Sequence, residues 1–370
     1  MQVQVPPGSA AARDIPELTA LRVAAALCVV VAHLHALGIV SAEQLHRILD
    51  GGRPAVTFFF VLSGFIMNHS YPHLSSGDPV AVRRYARSRF ARLYPTLLLS
   101  LCIALPTVTY LAMTRARAPL LDFYALKEHY SSWLLASGAA QLLALTGWVP
   151  AAAINQPWNG PAWSLSCEFF FYALFPLLRP VLQRHSSRVL IAALLVGWLL
   201  QACWIAAIEH FVPANRAGFL AYQFPPTHLL EFIWGIGAGI LMRRCNVRQL
   251  RALGLGCVGI TLLAVAILHE TKFQLPVSYP LTPLFTALIV AVARASGAGW
   301  LAPLRQRVVL ALGHASYALY IVHVPILIGA SVWGIANAVG WFWLPLLLLA
   351  SLLIHYRFAE PARRYLLGRA

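Results

Sequence analysis

Charge is what this sequence has least of. Only 11% of its 370 residues are Asp, Glu, Lys or Arg, against 59% hydrophobic, whereas soluble domains carry about a quarter charged residues. That scarcity excludes an ordinary soluble globule. It also excludes a disordered or nucleic-acid-binding chain, whose basicity would come with abundant charge. Acids are scarcer still, 12 against 28 Lys and Arg, a formal net charge of +16. Low total charge with a basic excess is the composition of a polytopic membrane protein, which keeps its spans uncharged and gathers Lys and Arg in cytoplasmic loops. Paired cysteines are also missing: none of the six forms a CxxC pair and most lie in apolar runs. Neither a disulfide framework nor a metal site is therefore expected. The sequence contains no internal repeat and no low-complexity tract.

The few charges serve as rulers. A helix rises about 1.5 Å per residue and needs ~20 apolar residues to cross the hydrocarbon core, so uncharged stretches measure candidate spans. Residues 23–42, 54–77, 93–114, 189–208, 252–269 and 273–293 contain no Asp, Glu, Lys or Arg. Residues 308–356 are also uncharged, long enough for two helices turning near 334–340; 161–178 and 220–242 are interrupted only by Glu168 and Glu231. The spacing predicts an all-α bundle of about ten spans. Residues 132–149 are an ambiguous eleventh stretch. If they do not cross, twenty of the 28 bases fall on one side of the membrane and seven on the other; if they do, the asymmetry collapses. The positive-inside rule then predicts a single transmembrane domain with both termini cytoplasmic. A flexible tail is expected at 1–14, and an outer-face lobe at 114–160 whose apolar part, 132–149, is interfacial or re-entrant. The first apolar run is long for a signal peptide and is read as a span rather than as a segment cleaved after Ala42.

Ionisable groups inside spans cost about 3 kcal/mol on insertion scales and mark functional candidates. Only Glu168 and Glu231 among the acids qualify, with Arg22 at a span entrance and His33, His35 and His323 embedded in apolar runs. Arg22 and His33 are eleven positions apart, about three turns and ~16 Å, so they share one helix face at two depths. That spacing suits an enzyme holding an anionic donor at the surface and reacting it deeper in. The alternative is structural: Arg22 snorkels to headgroups and His33 bonds a neighbouring helix.

Seven segments, in order, resemble the landmarks of the membrane-bound acyltransferase 3 family. Glu17-Leu-Thr-Ala-Leu-Arg22 followed by His33 is similar to its Arg, ten residues, His signature. Val56-Thr-Phe-Phe-Phe-Val-Leu-Ser63-Gly64-Phe65 resembles its FFVLSGF segment, and Arg83 to Pro95 its basic stretch with a terminal proline. Trp163-Ser164-Leu-Ser-Cys-Glu168-Phe-Phe-Phe-Tyr172 resembles its WSLxxE element. Weaker echoes are Glu231-Phe-Ile-Trp-Gly235, Gly313 to Pro325 with Ser316, Tyr317 and His323, and Glu360-Pro361-Ala-Arg363-Arg364. The sequence departs from the family pattern in Pro16-Glu17, where Leu-Asp is commoner, and in Cys167 before the glutamate. It is expected to work without the hydrolase-like domain that some members append.

The resemblance implies O-acyl transfer, most often O-acetylation, from cytoplasmic acyl-CoA, commonly acetyl-CoA, to a hydroxyl. The expected acceptor is a surface or exopolysaccharide or a lipid-linked sugar, in a multi-pass protein of the bacterial inner membrane. A small acceptor such as a macrolide is the alternative. In this frame His33 is the expected base, since imidazole titrates near neutrality, and Glu168 orients it or binds the acceptor hydroxyl. A covalent acyl-histidine is the competing route. Arg22, Arg89 and Arg92 are expected to clamp the CoA diphosphate. Trp163, Ser164, Glu231, Ser63, Tyr317 and His323 are expected around the substrate, with Phe58, Phe59 and Phe60 as packing and Gly64 as a point of close helix approach. A rival from another class is a secondary transporter or flippase, against which the missing repeat counts.

Overall fold

The computed structural model describes residues 14–41, 52–127, 129–271 and 279–368, with side chains omitted at 267–271. The described residues contain helices and turns and no strand. Residues 1–13 of the expected tail lie outside the described residues.

Ten principal helices follow the predicted apolar runs: α1 (Pro16–Ala36), α2 (Arg53–Ser70), α3 (Pro79–Thr114), α4 (Trp163–Arg184), α5 (Ser187–Phe211), α6 (Pro225–Arg244), α7 (Val247–Thr271), α8 (Thr282–Arg294), α9 (Arg307–Val332) and α10 (Trp343–Ile354). Through a π-helical turn α10 continues into a last helix, Glu360–Leu366. Among the described residues seven helices are long and apolar enough to cross a membrane, or eight if the pair Tyr279–Arg294 and Gly299–Arg305, bent by 103°, forms one span. The chain is thus a multi-pass helical membrane protein. The difference from ten lies in α2 and α6, which carry His69, His228, Glu231 and arginines at their ends, and in the bent pair.

Local sequence explains where the helices start. Asp78 accepts from the Ala81 N–H at 2.9 Å and caps α3, and prolines occupy the first turns of α1, α2, α3, α6 and α8, where no N–H is needed. Helix ends on the basic face are closed by arginines. Arg243 donates to the Asn68 carbonyl at 2.8 Å, Arg244 to the His185 carbonyl at 2.6 Å and to that of Gln183, and Arg87 to the Leu366 carbonyl at 2.8 Å. Each satisfies a carbonyl that a helix C-terminus leaves without an intrahelical partner.

Lipid offers no hydrophobic drive for helix association, so small residues and polar cross-links must supply it. A Cβ on Gly64 would sit 2.0 Å from the Phe232 carbonyl oxygen, and one on Gly235 2.0 Å from that of Val61, so α2 and α6 cross backbone to backbone. A Cβ on Gly313 would meet the Thr19 carbonyl at 2.3 Å, which seats α9 against α1. Glu17, fully buried, fastens the start of α1 by accepting from Ser296 at 2.7 Å, the Gly297 N–H at 3.0 Å and Arg305 at 2.9 Å. Leu199, Leu255, Leu262 and Leu349 face outward from α5, α7 and α10 as a lipid belt would require.

Helix prolines free carbonyls, and other segments take them up. Pro180 leaves the Pro176 carbonyl without its helical donor, and the Ser76 N–H fills the place at 3.1 Å. Pro325 does the same to Ile321, whose carbonyl accepts from the Asn159 amide at 2.8 Å. Asn159 belongs to the segment between α3 and α4. There the apolar stretch 132–149 forms a 13-residue helix, Tyr130–Leu142, then the turn Thr146–Trp148. At ~20 Å the helix is too short to span. It is pinned by Ser137 to the Ile154 carbonyl at 2.7 Å, by Gln141 to those of Pro157 and Asn159 at 3.0 Å, and by Trp158 donating to the Leu134 carbonyl at 2.9 Å.

Replacing Gly64 by Ala should force α2 and α6 apart, at a cost of about 1–3 kcal/mol or more, while Gly254→Ala on open surface should be neutral. Thermal melting of the purified variants in detergent checks the contrast.

Candidate functional site

Three cavities follow one another through the bundle. The basic one, about 1380 Å³ with its open mouth, is lined by Arg22 and Thr19 of α1, Arg92 of α3, His314 and Tyr317 of α9, and His355, Tyr356, Glu360, Arg363 and Arg364 after α10, with Asp14 at the rim. The central one, about 810 Å³, shares Arg22, Leu62, Ile66, Arg92 and Tyr317 with it and adds Ser63, Arg89, Ser164, Glu168, Tyr172, Ser316 and Tyr320. The third, about 900 Å³, shares Val56 and Tyr320 with the central one and is walled by His33, Asp122, Phe123, Gln156, Trp163, Tyr222 and Gln223.

The 3.6-residue period of α1 makes this arrangement possible. Arg22 stands at the junction of the basic and central cavities and His33, three turns on, in the third. Neither Arg22 nor Arg92 is hydrogen-bonded or ion-paired among the described residues, so their guanidinium forks remain available. Arg89 is different. It donates to the Tyr71 hydroxyl and to Ser88, both at 3.1 Å, lies against the Met67 sulfur at 3.7 Å, and its guanidinium stacks over Tyr71 with Tyr172 beside it. Three guanidiniums and one carboxylate therefore line the central cavity, an anion-attracting charge balance.

Glu168 accepts a hydrogen bond from Ser63 at 3.1 Å, and Ser63 also lies 3.5 Å from the Tyr172 hydroxyl. Glu168 does not contact His33; the two face adjacent cavities. The imidazole has its Nδ1 2.9 Å from the Val29 carbonyl. A carbonyl only accepts, so Nδ1 carries the proton and the Nε2 lone pair is left for another partner. His323 stands edge-on to His33, ring centroids 4.9 Å apart. Its Nδ1 is 3.2 Å from the Leu319 carbonyl, and its Nε2 is buried without a partner among the described residues. The structure thus brings His33 together with His323, and Glu168 with Ser63, Arg89 and the Arg22–Arg92 junction.

The remaining expected residues divide. Tyr317 donates to the Leu93 carbonyl at 2.8 Å and Ser164 to that of Pro161 at 2.9 Å, each from a cavity wall. Trp163 walls the third cavity, between Phe60 and Tyr222. Glu231 touches none of the three cavities. It is buried against His228, whose Nδ1 lies 2.9 Å from its carboxylate, with Thr57 donating at 3.4 Å. The other ring nitrogen of His228 faces the Tyr222 carbonyl. Two acceptors on one imidazole require a doubly protonated ring beside a carboxylate, or a neutral ring beside a protonated Glu231. The ring packs among Phe60, Trp163 and Tyr222.

Of the cavity-lining or buried groups, His228, Tyr172, Tyr320, His314, His355 and Tyr356 have no role in the sequence pattern. His228 was detectable as an i, i+3 partner of Glu231. Arg363 and Arg364, which in sequence are basic-face residues within a family echo, line the basic cavity.

Truncating one member of a buried pair strands the other, typically at about 3–5 kcal/mol, whereas removing both with apolar replacements is often neutral. His228→Leu should therefore melt far below the wild type and His228→Leu/Glu231→Leu close to it, as read by thermal unfolding in detergent.

The whole chain is similar to known acyltransferases. The model of the acyltransferase domain matches residues 15–358. Acyltransferase MdmB of Streptomyces mycarofaciens is 30% identical across 96% of this chain and 93% of that protein. O-acetyltransferase OatA of Staphylococcus aureus is 23% identical across 95% of this chain, which spans 58% of its length. No solved structure matches. The domain match sets aside the transporter reading: a multi-pass helical protein, its cavities lined by the Arg22 and His33 elements and by the WSLxxE segment, this chain belongs to the acyltransferase 3 family and is an acyltransferase for groups other than amino-acyl groups.

Proposed function

We propose that the protein is an inner-membrane O-acyltransferase, most simply an O-acetyltransferase. It draws the acyl group from cytoplasmic acyl-CoA and delivers it to a hydroxyl of a surface polysaccharide, exopolysaccharide or lipid-linked sugar. The observation that carries this reading is the row of three cavities, with guanidiniums that have no partner among the described residues at one end and an imidazole whose Nε2 has none among them at the other. The donor's phosphates suit Arg22 and Arg92, which offer bidentate forks, and the basic face suits the cytoplasm by the positive-inside rule. The third cavity combines aromatic faces, Trp163, Tyr222 and Phe123, with the hydrogen-bonding groups of Asp122, Gln156 and Gln223. Stacking surface beside polar side chains is the chemistry that a sugar presents and needs.

The proposed step is direct. The acceptor hydroxyl gives its proton to His33 Nε2 as its oxygen bonds to the thioester carbonyl carbon. The tetrahedral intermediate collapses, the C–S bond breaks, and the thiolate takes the proton back from the imidazolium. Tyr320, on the wall common to the central and third cavities, is near the developing oxyanion in this scheme. Arg89 and Glu168, fixed through Tyr71, Ser88 and Ser63, hold the shape and charge of the passage that the acyl arm crosses.

His33→Ala should abolish acyl transfer while the protein still inserts and purifies, checked by acetyl release from radiolabelled acetyl-CoA in proteoliposomes. Arg22→Ala should chiefly raise the donor KM, about tenfold or more for a lost charge-assisted contact; an unchanged KM would remove Arg22 from donor binding. The acceptor is tested by mass spectrometry of surface glycans with and without the gene, where the loss of one acetyl mass is expected.

A further inference from the structure

The basic cavity is larger than a diphosphate clamp requires, and its far wall is built from a distorted piece of helix. Between α10 and the last helix, residues His355–Ala359 adopt a π-helical turn. Such turns carry one residue too many for a regular helix and occur frequently at functional sites. Here the turn brings His355, Tyr356 and Ala359 to the cavity together with Glu360, Arg363 and Arg364. Across from it α9 contributes His314, whose ring lies nearly parallel to that of His355 at 9°, centroids 6.4 Å apart. Tyr356 meets His355 edge-on at 4.8 Å.

Glu360 accepts from Arg363 Nη1 at 2.9 Å and from Arg364 Nε at 3.0 Å. One carboxylate thus holds two guanidiniums side by side and neutralises only one of their charges. Each guanidinium keeps most of its five N–H donors. Both side chains remain partly exposed, 37% and 64%. The cavity is lined by four arginines against Asp14 and Glu360, so a net positive charge remains to attract an anionic ligand. Arg22 and Arg92 border the central cavity as well and suit the group nearest the acyl arm; Arg363 and Arg364 line the basic cavity alone.

We infer that the wall formed by His314, His355, Tyr356, Arg363 and Arg364 is the subsite for the distal end of a 3′-phosphorylated adenine nucleotide. Arg363 and Arg364 bind the ribose monophosphate, and the imidazole and phenol faces flank the base. The inference rests on the acyl-CoA reading above and extends it: the protein distinguishes a donor that carries the 3′-phosphate from one that lacks it. A lipid headgroup phosphate has the same chemistry as a ligand for surface arginines, but the lining of the donor cavity by these two favours the nucleotide.

The test compares acetyl-CoA with acetyl-dephospho-CoA on the full-length protein in proteoliposomes of fixed lipid composition. The wild type should prefer acetyl-CoA in kcat/KM by about tenfold or more, the scale of a lost charge-assisted contact. In Arg363→Ala/Arg364→Ala the preference should fall towards one, whereas Arg22→Ala should weaken both donors and keep the preference. A merely structural role for the pair would lower both rates together and leave the ratio intact. A wild type that uses both donors equally would overturn the inference while leaving the acyl-CoA reading standing. A retained preference in the double variant would overturn it also, and would make the two arginines headgroup anchors. A wild type that uses neither donor would instead overturn the acyl-CoA reading itself. If the double variant does not fold, the single variants and the wild-type ratio still decide.

Discussion

The bundle depends on a place where two backbones touch. At Gly64 and Gly235 no Cβ separates α2 from α6, and in a membrane that intimacy replaces the hydrophobic drive that assembles soluble cores. Its consequences run outward from the crossing. Ser63, one residue before Gly64, turns into the central cavity and reaches Glu168 on α4. Phe60, one turn earlier, packs on Phe171, Trp163 and His228. Thr57, a further turn back, bonds Glu231 on α6. One face of α2 thus fixes a floor of the central cavity, the tryptophan of the third, and a buried ionisable pair. The Gly313–Thr19 contact does comparable work for α1 and α9, and so sets Arg22 and His33 relative to Tyr317 and His323.

Charge in this protein has two uses, and the structure separates them. Arg87, Arg243 and Arg244 each give hydrogen bonds to carbonyls at a helix end, and Arg305 is tied to Glu17. Those groups close the fold. Arg22 and Arg92 have no such partner among the described residues, yet stand where two cavities join. Holding like charges together in a partly desolvated space is costly, and an anionic ligand offsets that cost on binding. An acyl-CoA matches the charge, and an acyltransferase has use for it.

Much of this was legible in the residues. Uncharged runs marked the positions of the principal helices, and the eleven-residue interval from Arg22 to His33 gave a shared face because α-helical geometry is rigid. The failure of 132–149 to span followed from loop charge alone, and the 13-residue helix there agrees. What stayed hidden depends on contacts far apart in sequence. Glu231 reads as a mid-span acid that must be paired or protonated, but its partners, His228 and Thr57, are not marked by the pattern that singles it out. Arg89 reads as an equal of Arg92, although three residues rotate it by most of a turn towards Tyr71 and Ser88. The lining role of Arg363 and Arg364 follows from a π-turn that no hydropathy profile registers. Asn159 looks like a loop residue until Pro325 is seen to leave the Ile321 carbonyl without a donor.

A donor entering beside Arg22 and an acceptor meeting it near His33 require that the acyl group pass through the central cavity. Photo-crosslinking with a diazirine placed in the acyl chain of a CoA thioester, mapped by peptide mass spectrometry, measures that passage directly. The account predicts labelling of the central walls, Phe59, Leu165 and Tyr320, suppressed by excess acetyl-CoA. Labelling confined to the lipid-facing residues of α5 and α7, insensitive to acetyl-CoA, would contradict it.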